Sequence, residues 1–166
     1  MPTDVKVGIV GAGANTTAKH IPLLQEIDGV EILGVGNRSE ASSAAVARRF
    51  GIPRIYDHWE QAVADPDTNA IVIGTWPYLH CPVTLAALEA GKHVLTEARM
   101  AMNANEALRM LKASEARPEL VAQVVPSPIT FFADATIQRL IAEEYIGQLL
   151  AVESRIRGGF IDSTTP

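Results

Sequence analysis

The sequence predicts an α/β protein built on a doubly wound parallel sheet, and three observations carry that expectation. Apolar runs of strand length alternate with longer helix-period segments over residues 5–144, the rhythm of βαβ units whose helices cover both faces of one sheet. The strand runs, beginning with residues 5–10, are apolar nearly throughout, as strands buried on both faces must be. Between the first strand and the first helix stands Gly11-Ala12-Gly13, a turn that can bend tightly because two of its residues lack a Cβ.

The elements follow in order. A helix runs from the turn to about Ile27; Pro22 falls inside it and predicts a late start or a kink, and Gly29 closes it. Residues 30–35 form the second strand. Ser39 caps a helix that reaches Phe50 and stops at Gly51. Residues 54–56 are a short third strand, and Asp57 caps a brief helix through Trp59 and Val63. Residues 70–74 are the fourth strand, and Pro82 suits the first turn of the next helix, which ends at Gly91. Residues 93–96 are the fifth strand. Asn103 with Glu106 reads as a capping box for a helix to Ala116, and Pro118 blocks its continuation. Residues 120–125 form the sixth strand, Pro126 and Pro128 mark a loop, and 133–144 is a last helix closed by Ile146-Gly147. Residues 149–157 alternate apolar and polar side chains, which predicts a half-exposed strand of another kind. The expected organisation is a nucleotide-binding domain over 1–125, a linking loop and helix over 126–148, and the start of a second domain over 149–166.

Composition narrows the function. With 166 residues, 48% hydrophobic and 20% charged, the chain can bury a core without staples. A net charge of −5 offers no basic excess for a phosphate backbone, so no nucleic-acid partner is expected. Its single cysteine, Cys81, cannot form an internal disulfide, and a reducing compartment is the default. There is no signal pattern and no apolar run of about 18 residues, so the expectation is a cytoplasmic protein with no membrane partner. No His/Cys/Asp/Glu spacing suggests a metal, and there is no nucleophile elbow or Walker-type lysine. Cys81 reads as a small buried hydrophobe.

The glycine turn is the strongest chemical signal. In a strand–turn–helix setting, Gly11 permits the bend and Gly13 lets a pyrophosphate approach the backbone. The amides of Ala14, Asn15 and Thr16 then open a helix toward the anion. This is the arrangement of a Rossmann fold, although its third glycine position is Thr16 here, or Asn15 with one residue of slack. Thr16 and Thr17 are expected to donate hydroxyls to phosphate. The second strand should end beside the adenosine ribose, where Asn37-Arg38-Ser39 stands. A carboxylate at that place would repel a 2′-phosphate; Asn37 is neutral, and Arg38 pairs with phosphate or covers the adenine. The cofactor expected is NADP or NAD, with NADP slightly favoured. The same three residues also make ordinary helix-capping chemistry.

These features resemble the N-terminal domain of the glucose–fructose oxidoreductase/inositol dehydrogenase/rhizopine-catabolism (Gfo/Idh/MocA) family. The resemblance rests on Gly11-Ala12-Gly13 with His20, Asn37-Arg38-Ser39, Thr75 through His80, Ala90-Gly91-Lys92-His93-Val94 with Glu97, and Ile146-Gly147. It covers nearly the whole chain. It implies an oxidoreductase that moves hydride between NAD(P) and a sugar, cyclitol or related alcohol or carbonyl. It also implies a C-terminal α/β domain with an antiparallel sheet, which lines the substrate pocket and builds a homo-oligomer. The chain ends as that sheet would begin, so the expectation is one part of a longer enzyme, inactive alone. Two departures stand out. The family's Glu-Lys-Pro reads Glu97-Ala98-Arg99, so its catalytic lysine is replaced by Ala98. Its Thr-Pro reads Thr75-Trp76-Pro77. The first leaves open an alternative, a non-catalytic dinucleotide-binding or assembly module.

No residue is assigned to catalysis outright. Glu97, Arg99 and His80 fall near the expected nicotinamide site; Glu97 would hold the nicotinamide ribose, and Arg99 would bring a charge but no proton transfer. His80 either contacts the ligand or packs the loop, and a helix N-terminus favours a neutral ring there. Trp76 and Tyr78 are a stacking wall or core. Thr75 and Pro77 complete the set of cofactor contacts. His20, His58 and His93 read as structural or surface residues.

Overall fold

The computed structural model describes residues 4–126 and 133–153. The chain divides into two compact units, Met1–Pro126 and Ser127–Pro166.

In the first unit the strands are β1 (Val5–Val10), β2 (Val30–Gly36), β3 (Arg54–Tyr56), β4 (Ala70–Ile73), β5 (His93–Thr96) and β6 (Ala122–Val124). They form one sheet in the order β3-β2-β1-β4-β5-β6, and every pairing is parallel. The order reverses between β1 and β4, and a crevice at the carboxyl ends of the strands opens at that switch. The helices are α1 (Ile21–Gln25), α2 (Glu40–Phe50), α3 (Trp59–Ala64), α4 (Pro77–Glu89) and α5 (Ala104–Glu115). Apolar side chains fill both faces of the sheet. Ile9, Ile21, Val35, Ala47 and Val72 form one layer, and Ile71, Ile73, Val83, Ala87 and Leu88 form the other.

Several elements follow the local signals residue by residue. Ser39 accepts a hydrogen bond from the Ser42 amide at the start of α2, and Gly51 ends that helix at φ +68°. Asn103 accepts from the Glu106 amide at the start of α5. The Glu106 carboxylate, however, takes the Met102 amide, so the expected reciprocal box is displaced by one residue. α3 is entered from His58 and not from Asp57; the Asp57 amide donates to the Gln61 side chain at 2.8 Å.

The two helix prolines fare differently. Pro22 goes with the late start expected: a π-helical turn over Thr16–His20 leads into α1, which begins at Ile21 with Pro22 in its first turn. A widened turn absorbs the missing amide. α4 begins at Pro77, five residues before Pro82, which is then interior. Pro77 has the better claim to the start, since its fixed φ and absent N–H suit a first helical position. His80 therefore sits inside α4 and does not open it.

The foot of the sheet is tied by a polar network. Arg54 pairs with Asp65 at 2.7 Å and with Asp67 at 2.5 Å, and the Tyr56 hydroxyl donates to Asp65 at 2.7 Å. Burial pushes the Asp65 carboxyl up, but these donors outweigh it and hold the group at about 2. Lys92 is buried and donates to the Asp65 carbonyl and the Thr68 hydroxyl. Burial lowers its pKa, partly offset by the charge of Asp65.

The second unit contains α6 (Asp134–Ala142), with an Arg139–Glu143 pair at 2.9 Å along one face. Gly147 follows at φ +67°. Residues 149–153 form no strand, contrary to the alternation there; Leu150 and Val152 are exposed, so these five residues have no covered side to fix a register. The rest of that expected strand, Pro128 and Gly158-Gly159 lie outside the described residues.

Candidate functional site

The site is built where β1, β4 and β5 end. Gly11 adopts φ +85°, and a Cβ there would stand 2.6 Å from the Thr75 methyl and 2.7 Å from its amide nitrogen. The first turn and the β4 end are thus in contact at a spacing that only glycine allows. The third glycine of the sequence motif finds its replacement on the opposite strand. A Cβ on Gly74 would run into Thr16 Oγ1 and the Gly11 carbonyl, so Gly74 supplies the clearance that Thr16 takes up. Thr16 itself is buried and donates to the Gly11 carbonyl at 3.2 Å. Thr17 donates to the Gly13 carbonyl at 2.9 Å. Both hydroxyls brace the turn; the expected donation to a ligand does not fit their bonding here.

A crevice of about 430 Å³ opens above this turn. One wall is Gly13, Ala14, Asn15 and Thr16, the second is Gly74, Thr75 and Trp76, and the third is Glu97 with Ala98. Helix-opening amides have no preceding turn to bond, so the first wall offers N–H groups to an anion. Trp76 is 73% exposed and Tyr78 57% exposed, which removes the core reading of both. Only Trp76 lines the crevice.

At the β2 end, the Asn37 amide oxygen accepts from the Ala12 N–H at 2.6 Å, and the Asn37 N–H donates to Ser43 Oγ at 2.8 Å. The loop after β2 is thereby fixed against the glycine turn, with the Asn37 side-chain NH₂ left to donate. Ser39 caps α2, Arg38 is exposed, and among the described residues Arg38 makes no ion pair. Arg99 is exposed and Pro77 partly so, and neither lines the crevice. His80 is 0% exposed and touches the site only through main-chain carbonyls.

Glu97 is the one carboxylate in the crevice walls. Its Oε1 lies 2.5 Å from His20 Nε2 and also accepts from the Asn15 amide, while Oε2 accepts from the Ala98 N–H at 3.0 Å. Burial pushes this carboxyl up, but the hydrogen bonds from His20, Asn15 and Ala98 prevail and hold it below the usual carboxylate range. His20 was read from sequence as structural or surface. It is instead a partner of the carboxylate that lines the crevice, and its advance signal was its place beside the glycine turn in the family resemblance. His93 is structural, its Nδ1 accepting from the Val121 amide at 2.9 Å. Cys81 is buried and free, and burial raises its thiol. Among the described residues no group of three or more His, Cys, Asp or Glu could hold a metal, and no helix is long and apolar enough to cross a membrane.

Strand order, the positive-φ glycine at the switch point and the open amides above it define a Rossmann-type domain. Residues 5–124 match the sequence model of the Gfo/Idh/MocA oxidoreductase family, NAD-binding Rossmann fold, and the chain belongs to that family. It is similar to 1,5-anhydro-D-fructose reductase of Ensifer adhaerens, 35% identical over 107 residues, covering 64% of this chain and 32% of that protein. It is similar as well to inositol 2-dehydrogenase 3 of Saccharopolyspora erythraea, 30% identical over 120 residues, covering 72% and 35%. Among solved structures, biliverdin reductase of Synechocystis sp. PCC 6803, in complex with biliverdin and NADP+, superimposes with a TM-score of 0.68 at 28% identity, over 74% of this chain and 38% of that one. The chain spans about a third of the length of the two curated relatives.

Proposed function

We propose that the crevice binds NADP(H) in preference to NAD(H), and that the chain is the dinucleotide-binding part of an oxidoreductase acting on a sugar, cyclitol or related alcohol or carbonyl. The observation that carries the reading is the junction of Gly11, Ala12 and Asn37. The glycine turn sits at the switch point with open amides above it, and the β2 end, where the neutral Asn37 stands, is hydrogen-bonded to it at 2.6 Å. A pyrophosphate fits the amides of Gly13 to Asn15. The adenosine ribose falls beside Asn37, Arg38 and Ser39, where donors and a cation suit a 2′-phosphate. The nicotinamide ribose falls toward Thr75, Trp76 and Glu97.

The bound dinucleotide would supply the hydride. The chain's own residues do the positioning: the turn fixes the phosphates, the ionised Glu97 accepts from ribose hydroxyls, and Trp76 offers an aromatic face at the rim. Ala98 contributes no acid–base group, and Arg99 stays protonated, so it brings charge without proton transfer. The substrate class rests on the relatives named for reduction of 1,5-anhydro-D-fructose and dehydrogenation of inositol. A substrate domain beyond residue 148 and assembly as a homo-oligomer belong to the same proposal. So does a cytoplasmic setting, which suits the lone thiol of Cys81.

Calorimetric titration of the chain with NADPH and with NADH tests the reading. Saturable binding of both, tighter for NADPH, is expected. No heat from either at millimolar concentration would reject dinucleotide binding, and tighter NADH would reject the preference.

A further inference from the structure

The side chains that line the crevice differ from its backbone in what they offer a ligand. The main-chain amides at the helix start donate, but the hydroxyls beside them spend their protons on carbonyls. Thr16 donates to the Gly11 carbonyl at 3.2 Å, and Thr75 donates to the Trp76 carbonyl at 3.1 Å. Apart from the Trp76 indole, the polar side chains left in the lining are Asn15 and Glu97.

Asn15 is oriented by its neighbour. Its Nδ2 donates to Glu97 Oε1 and lies 3.5 Å from His20 Nε2. Turning the amide over would set its oxygen against a carboxylate oxygen, two acceptors face to face, so the nitrogen is held toward Glu97. Oδ1 is the atom left over, and among the described residues nothing donates to it. An amide oxygen has lone pairs for about two donors.

Glu97, in contrast, is almost full. An ionised carboxyl has about four lone-pair sites. Oε1 is taken by His20 and Asn15, and the Ala98 amide takes one site of Oε2, which leaves room on Oε2 for one more donor. A vicinal diol carries two O–H donors, and Glu97 alone would leave one of them without an acceptor. Asn15 lines the same crevice and touches Glu97, so its free oxygen and Oε2 form an adjacent pair of acceptors.

We propose that the Asn15 side chain binds the nicotinamide ribose, its Oδ1 accepting from one hydroxyl of the vicinal pair while Glu97 Oε2 accepts from the other. Neither oxygen suits a phosphate, whose own negative oxygens they repel. Asn15 thus serves the phosphates through its main-chain amide and the sugar through its side chain. The assignment rests on the dinucleotide reading of the crevice.

The test is calorimetric titration of the full chain with two probes that differ only in the second sugar: 2′-phosphoadenosine 5′-diphosphate and 2′-phosphoadenosine 5′-diphosphoribose. Wild type is expected to bind the ribose-bearing probe about tenfold tighter, and equal affinities overturn the proposal. Asn15→Ala should weaken the ribose-bearing probe about fivefold or more and leave the diphosphate probe unchanged. An equal loss on both probes, or a loss on neither, overturns it. A third measurement separates contact with the sugar from support of Glu97. In the Glu97→Ala background, Asn15→Ala should weaken the ribose-bearing probe by about threefold more; no further loss means that Asn15 acts only through the carboxylate and overturns the proposal. Asn15 is exposed and alanine suits a helix, so the fold is expected to persist, as circular dichroism checks. Should Asn15→Ala not fold, the two wild-type affinities decide. A wild-type chain that binds neither probe rejects the dinucleotide reading itself, whereas binding of both with the same affinity rejects only the role of Asn15 and its sugar.

Discussion

His20 Nε2 lies 2.5 Å from Glu97 Oε1, although 77 positions separate the two residues in sequence. The contact joins the helix that follows the glycine turn to the end of β5, on opposite sides of the switch point. It makes Glu97 an oriented acceptor before any ligand arrives. Glu97→Ala should weaken NADPH binding about ten- to a hundredfold, the range of one lost hydrogen bond to a charged group. His20→Ala should weaken it less, because Asn15 and Ala98 still hold the carboxylate. Fluorescence titration of both variants checks the order, and equal losses would contradict it.

The pH dependence of that carboxylate has a definite sign. Its pKa in the folded chain is lowered, whereas an unfolded chain titrates near about 4.3. The stabilisation is therefore complete above that ordinary value and is lost as pH falls through the lower, folded one. Cofactor affinity should stay level from neutral pH down to about 5 and decline only in stronger acid. An affinity that falls between pH 7 and 5 would show that Glu97 is not the group in control.

The β2 end should be convertible. Asn37→Asp keeps an oxygen to accept from the Ala12 amide and places a negative charge beside the adenosine ribose. NADPH affinity should drop at least tenfold relative to NADH, about 1.4 kcal/mol, through repulsion of the 2′-phosphate. Arg38→Ala should move the ratio in the same direction by a smaller factor. Unchanged ratios in both variants would remove the assigned role of this loop.

Two glycines should resist even a methyl group. Gly11→Ala combines φ +85° with a clash against the Thr75 amide, and Gly74→Ala meets the Gly11 carbonyl and Thr16. Each site meets a threonine side-chain atom and a backbone atom, the Thr75 amide nitrogen or the Gly11 carbonyl, and the backbone cannot swing aside. Each variant should lose about 2 kcal/mol or more in urea unfolding, from strain and overpacking. Gly51→Ala faces only its positive φ, with nothing near its Cβ, and should cost about 1 kcal/mol.

Acid should loosen the foot of the sheet first. Asp65 titrates at about 2 in the folded chain against about 3.9 when unfolded, so its contribution is complete above pH 4 and is lost between roughly pH 4 and 2. Asp65→Asn removes the charge facing Arg54 and Tyr56. It should lower stability at pH 7 by about 1–2 kcal/mol and flatten the acid limb of the unfolding profile. A variant with an undiminished acid limb would place that transition elsewhere.

Much of the fold was legible because the strands announce themselves. β1, β3 and β5 have the bounds expected from their apolar runs, and α2 has both of its predicted caps. What escaped was set by competition between signals or by distance. Pro77 and Pro82 both suit a helix start, and local sequence does not rank them. The alternation in 149–153 has the period of a strand, but a period fixes no structure without a covered face. The crevice was legible through its glycines, Thr75, Trp76 and Glu97. The pairing of His20 with Glu97 and the clearance at Gly74 were not, because each depends on a neighbour that only the crossover brings close.

Among the described residues the sheet ends on both sides in strands of three residues, β3 and β6. A strand that short presents few unpaired amides and carbonyls, too few to template the addition of another chain. Lateral growth into fibres or strand-swapped dimers is discouraged by geometry alone, with no lysine or proline guard needed along the rims.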